Sequence, residues 1–316
     1  MKRKEESCAF RTSIGGQALM EGILMRGPEK QAIVVRREDG SYVTREETLH
    51  PIRERYPILG WPFIRGTVNF LESMISGVKA LNFSAEQIPE AEQEEKGKLE
   101  QRLEKKMGAE KFQKLAVGVA VALGIVLAVG LFILLPTVLA GLLAKVTDIT
   151  VLRSLVEGVL RILIFLIYLW SVSGMKEIRR VWMYHGAEHK TIACYEAGQP
   201  LTVENCRPMR RFHPRCGTSF LFLVMIVSIL IFSLVRWQNA LIRMALRLVL
   251  LPVVVGISYE LIRYAGRHDN LLTRILSAPG LWLQRLTTKE PEDEMLEVAI
   301  RALEMVLPEE QGADRI

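Results

Sequence analysis

An uncharged run from Ala116 to Ala144 constrains this chain more than any other feature of its sequence. Crossing a bilayer takes about 20 consecutive apolar residues, and this run exceeds that. Inside hydrocarbon every backbone polar group needs an internal partner, so the run is expected to be a transmembrane helix that Pro136 kinks or ends. A second apolar run extends from about Val159 to Met175, with Glu157 and Arg161 one helical turn apart at its mouth. A third is Gly217–Val235. A fourth, Leu241–Ala265, is the least regular, with Arg243 and Arg247 at one end, Pro252 inside and Glu260 near the other. The reading is a mainly α membrane protein with about four transmembrane helices.

Composition supports segregation along the chain. Half of the 316 residues are hydrophobic (50%), yet 24% are charged and the net charge is +6. A soluble domain is less apolar and a pure membrane bundle less charged, so polar and apolar regions must alternate. The basic residues flank the apolar runs and do not form the aromatic-interleaved stripe of nucleic-acid binders, so the expected partner is the lipid bilayer and no nucleic acid. Lys96, Lys98, Arg102, Lys105, Lys106, Lys111 and Lys114 precede the first span. Lys176, Arg179, Arg180, Lys190, Arg207, Arg210, Arg211 and Arg215 lie between the second and third. The first-to-second connection offers Lys145 and Arg153. The positive-inside rule then places the N-terminus, the central loop and the C-terminus in the cytoplasm. Arg236, Arg243 and Arg247 fall on the outer side and count against this, while an even number of spans agrees with it.

The soluble parts divide into residues 1–63, 64–114, the loop 176–216 within the transmembrane region 115–266, and the tail 267–316. The first is a small β-containing region: Gln31–Arg37 and Ser41–Glu46 flank Asp39-Gly40, a hairpin signal in which both turn residues take positive φ. From Ile64 to Phe83, Val68, Leu71, Ile75, Val78 and Leu81 recur at helical spacing. That amphipathic helix either packs on the β region or lies on the membrane surface. Glu86–Lys114 reads as a solvated helix or linker. In the tail, Glu292–Leu307 is an amphipathic helix whose default role is packing. The N-terminus is basic without an apolar h-region, so no cleaved signal peptide is expected. Cys8, Cys194, Cys206 and Cys216 form no CxxC pair, and three fall in the cytoplasmic segment, so their thiols are expected to be free or metal-bound.

Chemistry concentrates in the central loop. In Tyr184-His185-Gly186-Ala187-Glu188-His189-Lys190 the helical advance of ~100° per residue brings His185, Glu188 and His189 within about 100° of one another. Two imidazoles four apart bind one metal ion, and the carboxylate beside them activates a metal-bound water. This is the His-x-x-Glu-His order of the inverted zincins. Gly186 argues the other way, since glycine inside a helix costs about 1 kcal/mol relative to alanine. His213-Pro214-Arg215-Cys216 adds an imidazole and a thiol just before the third span. Glu260 sits near the inner end of the fourth, where an ionisable group is by default functional; its bland alternative is an ion pair with Arg263 or Arg267. His268-Asp269 reads as a polar pair at a helix end or an outer partner of the site. His50 carries little signal. The glycines 15, 16, 22 and 27 allow close backbone approach to a ligand or equally serve tight turns, and with no Gly-Lys-Ser/Thr after them a P-loop is excluded. Glu21 and Arg26 are expected to contact substrate or to pair with the central loop.

The stretch Gly15–Pro28 (GGQALMEGILMRGP), together with His185–Lys190, His213–Phe220, Ser258–Gly266 and Leu286–Pro291, resembles the YqhQ-like family of bacterial membrane proteins. That family is described as uncharacterised, predicted metal-dependent enzymes. The resemblance implies a bacterial inner-membrane protein with a metal site at His185 and His189, and it supplies no reaction. The residues suggest a zinc hydrolase open to the cytoplasm, with Glu260 or His213 as third ligand and Cys216 as a further candidate. Glu188 would be general base toward a water whose pKa the metal lowers to ~7, on a membrane-associated peptide or lipid-like substrate. The competing class is a non-enzymatic scaffold for membrane-protein partners, or a transporter. It would have a closed structural site such as His185, His189, His213 and Cys216. Transport needs polar residues along the spans, and the first offers only Thr137.

Overall fold

The computed structural model describes residues 9–87, 105–143, 150–234, 240–310 and 312–316. Cys8, most of the charged stretch before the first span, and the segments holding Lys145 and Arg236 lie outside the described residues. The protein is mainly helical, with one small N-terminal antiparallel sheet.

Strands β1 (Gly15–Leu19), β2 (Gly22–Arg26), β3 (Lys30–Arg36) and β4 (Tyr42–Thr48) pair in sequence order. The GGQALMEGILMR stretch is thus the β1–β2 hairpin, closed by Met20 and Glu21. Glu21 takes φ 49°, an uncommon conformation for a non-glycine residue. The Asp39-Gly40 hairpin is present, but its connection is longer than two residues. Arg36 pairs with Tyr42, and of the turn residues Gly40 alone has positive φ, +80°. Asp39 instead accepts the Ser41 N–H through its side chain, an Asx turn that needs no left-handed residue.

The central strands β2 and β3 are buried on both faces. Ile23, Met25, Ala32 and Val34 point to one side and join a core with Tyr184, Ala187, Met295, Ala299 and Leu303. Leu19, Leu24, Ile33 and Val35 point to the other, against Ala80, Leu81 and Phe83. The helices that supply these residues are α2 (Ile64–Ala85), after the short turn α1 (Ile52–Arg55), and two met further along the chain. α2 packs on the sheet only with its last turns. Its first half lies on the long apolar helix near the C-terminus, where Thr67 Oγ1 donates to Pro252 O (2.8 Å) and Asn69 Nδ2 to Tyr259 Oη (2.8 Å). Leu71, Met74 and Ile75 stay exposed.

Among the described residues, three helices are long and apolar enough to cross a membrane. The first joins α3 (Ala109–Val129) and α4 (Leu135–Leu143) through a π-helical turn, Gly130–Leu134. Pro136 does not end it. Lacking an N–H, Pro136 gives nothing to Phe132 O, and that carbonyl accepts Arg161 Nε instead, at 2.9 Å. The second is in α5 (Thr150–Val172). After α6 (Lys176–Glu196) and the single turn α7 (Val203–Cys206) comes α8 (Gly217–Ser233), apolar but only 17 residues long. The third candidate span is in α9 (Ala240–Arg267). The tail contains α11 (Asp293–Glu304), as its amphipathic pattern indicates, preceded by a second helix, α10 (Leu271–Thr287).

Three charges inside the apolar helices form one cluster. Glu157, Arg161 and Arg247 are buried together. Glu157 binds Arg247 with both oxygens, and Thr137 and Arg161 also reach it. Arg161 Nη1 donates to Ser228 Oγ at 3.0 Å. Arg247 is thus a bundle residue rather than an outer-loop cation.

Candidate metal centre

The core that joins β2, β3, α6 and α11 brings the central loop, the sheet and the tail together, and the candidate site lies beside that junction. His185, Glu188 and His189 are buried on one face of α6, as their spacing predicts. Cys216, the residue before α8, is buried opposite them.

Each imidazole is oriented by a backbone carbonyl. His185 Nδ1 lies 2.7 Å from Thr287 O, and His189 Nδ1 lies 2.6 Å from Arg211 O. A carbonyl only accepts, so both Nδ1 atoms carry the proton and donate it. In its neutral form each ring then presents its Nε2 lone pair to the interior. His185 Nε2 is 3.1 Å from Cys216 Sγ, while His189 Nε2 is buried with no hydrogen-bond partner. One ligand atom from each of His185, His189 and Cys216 falls within 4.8 Å of the other two. Two imidazoles tied at Nδ1, with Nε2 turned toward a thiol, is an arrangement by which proteins hold transition metals.

Electrostatics favour the Cys216 thiolate. Burial raises the Cys216 thiol, but the two imidazoles outweigh it and hold Cys216 well below the ordinary thiol range. Burial likewise opposes charge on His185, yet Cys216, and after it Glu188, push its pKa up to about 9. A proton shared by the pair therefore sits on nitrogen and leaves sulfur as thiolate, the species that binds metal. Burial also pushes the Glu188 carboxyl above the ordinary range, against the pull of the two imidazoles and the Gly16 N–H. Glu188 Oε2 is buried without a partner.

Two glycines explain how the centre closes. A Cβ on Gly186 would lie 2.0 Å from Lys289 O, so only glycine lets the Leu286–Pro291 segment run along α6. That segment is pinned by Lys289 N–H donating to Trp182 O at 2.8 Å, and it supplies the Thr287 carbonyl to His185. The helix-propensity cost at Gly186 thus serves the site. Likewise a Cβ on Gly16 would meet Leu24 O at 2.7 Å and Glu188 Cδ at 3.0 Å, so the glycine-rich β1 lies directly over the carboxylate. Glu21 turns away to Arg180 of α6, which also brings Tyr184 Oη within 3.2 Å of it. Arg26 stands 3.9 Å from Glu72.

The remaining predicted residues part company. His213 is adjacent, its ring centroid 5.6 Å from that of His189. Its Nε2 faces Arg215 (3.2 Å) and Glu196 (3.7 Å), and its backbone is clamped by both ends of the Gln284 amide. Glu260 is corrected more fully. It forms a two-pronged pair with Arg65 of α2 (2.7 and 2.5 Å) and accepts the Phe63 N–H, away from the His–Cys cluster. Neither Arg263 nor Arg267 is its main partner. His268 stacks on Tyr264 with centroids 4.2 Å apart, and His50 is exposed. Cys194 and Cys206 are buried free thiols, with burial pushing Cys206 up to about 12.

Three participants escaped the sequence reading. Thr287 and Arg211 act through carbonyls, which leave no side-chain signal. Glu196 does leave one: it stands seven residues after His189, two turns on along the same face, and binds Arg215, His213 and the Thr12 N–H.

Comparison with known proteins agrees with the resemblance seen in the motifs. A family described as "Protein of unknown function (DUF1385)" matches residues 61–309. The chain is 37% identical over 299 residues to "Uncharacterized protein YqhQ" of Bacillus subtilis (strain 168), covering 93% of this chain and 92% of the relative. No solved structure matches. With its motifs and nearly its whole length shared, the chain belongs to this YqhQ-like DUF1385 family.

Proposed function

We propose that this protein is a multi-pass bacterial inner-membrane hydrolase with a zinc centre facing the cytoplasm, held by His185, His189 and Cys216. The observation that carries the reading is the pair of buried imidazoles, each fixed at Nδ1 by a carbonyl, whose Nε2 atoms stand with Cys216 Sγ. Imidazole and thiolate ligation favours zinc among the common divalent ions. A set of three protein ligands, with His213 turned toward Glu196, suits a catalytic site better than a closed structural one. When bound, the ion supplies Lewis acidity. Glu188 takes the proton of the attacking water: it is buried, one oxygen has no partner, and the Gly16 N–H holds the other side of the carboxylate. The substrate is membrane-associated, a peptide or a lipid derivative.

The orientation rests on packing as well as charge. Sheet, α6 and α11 share one core, which supports a topology with the N-terminal region, central loop and tail on one side of the membrane. An even number of spans satisfies this, with the short α8 as fourth, and the basic central loop marks that side as cytoplasmic.

The test is zinc per chain in detergent-purified protein, alongside hydrolysis of fluorogenic peptides and p-nitrophenyl esters. Wild type should carry about one zinc, as a single three-ligand site holds one ion. His185→Ala/His189→Ala should carry none. Glu188→Gln should keep the metal and lose about 10²–10⁴ in rate. A metal-free wild type, or full activity in Glu188→Gln, refutes the reading.

A further inference from the structure

Beside the metal centre lies a second feature, a cavity of about 390 Å³ between the end of α9, the first half of α10 and the loop that carries His213. Four guanidinium groups line it, those of Arg11, Arg210, Arg215 and Arg274, against two carboxylates, Glu196 and Asp269. Both carboxylates are already engaged. Glu196 is held by Arg215 and the Thr12 N–H, and Asp269 by Arg274 at 3.1 Å. Arg11 donates only to a neutral acceptor, Gly266 O at 2.8 Å, and Arg210 has no ion pair among the described residues. The cavity therefore carries an excess of two positive charges around a partly apolar floor that includes Phe212 and Leu281.

His213 lines this cavity and its ring centroid lies 5.6 Å from that of His189, so one imidazole stands between the basic cleft and the His–Cys cluster. On the adjoining face of α10, Leu271, Leu272, Ile275 and Trp282 are exposed. Since α10 starts four residues after α9 ends, that apolar face lies where a spanning helix leaves the membrane. Helices with this pattern rest in the interface, at the depth of the lipid headgroups. Guanidinium forks match the oxygens of a phosphate group.

We propose that the cleft binds a phosphate group and that, resting on the hydrolase reading above, the substrate is a phosphate-bearing molecule drawn from the cytoplasmic leaflet or its surface. Arg210 and Arg274 hold the phosphate at the rim, and Arg11 and Arg215 form the inner wall. The reacting bond then sits on the His213 side, toward Glu188.

The experiment is titration of the full chain in neutral detergent with inorganic phosphate, dioctanoyl phosphatidic acid and dioctanoylglycerol. Both phosphate probes should bind and the neutral lipid should not. If phosphatidic acid binds at least tenfold more tightly than inorganic phosphate, a lipid headgroup is the source; equal, mutually competitive binding assigns a soluble phosphate ester. Arg210→Ala/Arg274→Ala, two exposed positions outside the metal cluster, should weaken binding at least tenfold, as the loss of two charge-assisted contacts requires. His185→Ala/His189→Ala should bind phosphate as wild type does, so a failed zinc centre and a failed phosphate cleft give separate results. Absence of phosphate binding, equal binding of dioctanoylglycerol, or unchanged affinity in the arginine variant overturns the proposal.

Discussion

Gly186→Ala reverses an ordinary expectation and so tests how the candidate metal centre is built. On helix propensity alone the alanine stabilises α6 by about 1 kcal/mol. In the folded protein its Cβ would sit 2.0 Å from Lys289 O, well inside any real contact. The Leu286–Pro291 segment must retreat, and two buried hydrogen bonds go with it or slacken: Lys289 N–H to Trp182 O at 2.8 Å and His185 Nδ1–H to Thr287 O at 2.7 Å. Two such bonds contribute about 2 kcal/mol, and overpacking adds about 1–3 kcal/mol. Less the propensity gain, the variant should be destabilised by about 2–4 kcal/mol. Loss of the carbonyl that orients His185 should weaken zinc binding by about 10–100-fold. Thermal unfolding in detergent measures the first effect and competition with a chromophoric chelator the second. A variant that unfolds at or above the wild-type temperature and binds zinc equally well refutes this account of Gly186.

On the zinc reading proposed above, Glu260→Ala should bind the metal as wild type does, because the carboxylate is committed to Arg65, and loss of the partly exposed pair should cost only about 1 kcal/mol; metal analysis showing loss of zinc would restore Glu260 as a ligand. Glu157→Gln strips the buried Arg161 and Arg247 of their shared carboxylate and should destabilise the bundle by about 3–5 kcal/mol. Thermal unfolding unchanged by that substitution would mean the two guanidinium groups find water or lipid phosphate instead.

Local periodicity made much of the protein legible. The uncharged run 116–144 reads as a helix long and apolar enough to cross a membrane, because its composition and length both meet that requirement. The four-residue interval between His185 and His189 places both on one face of any helix, and Asp39-Gly40 marks a reversal because glycine alone enters the left-handed region without strain. Patterns failed where the partner is distant in sequence. α10 was missed because Pro279 interrupts its composition, yet its capping box at Asn270 and Thr273 starts the helix and its packing on α8 holds it. Glu260 looked like a ligand because it is an acid in an apolar helix, and no local signal reveals that Arg65, 195 residues earlier, waits for it.

The sequence by itself determined the apolar helices, the small sheet, the amphipathic tail helix and the shared face of His185, Glu188 and His189, since each depends on residues a few positions apart. Tertiary structure alone decided that Cys216 joins the two imidazoles while His213 turns to Glu196 and Glu260 to Arg65, and that Gly186 and Gly16 are points of contact rather than weaknesses. Those choices depend on distances of a few ångströms between segments tens to hundreds of residues apart, and on backbone carbonyls that every residue carries alike.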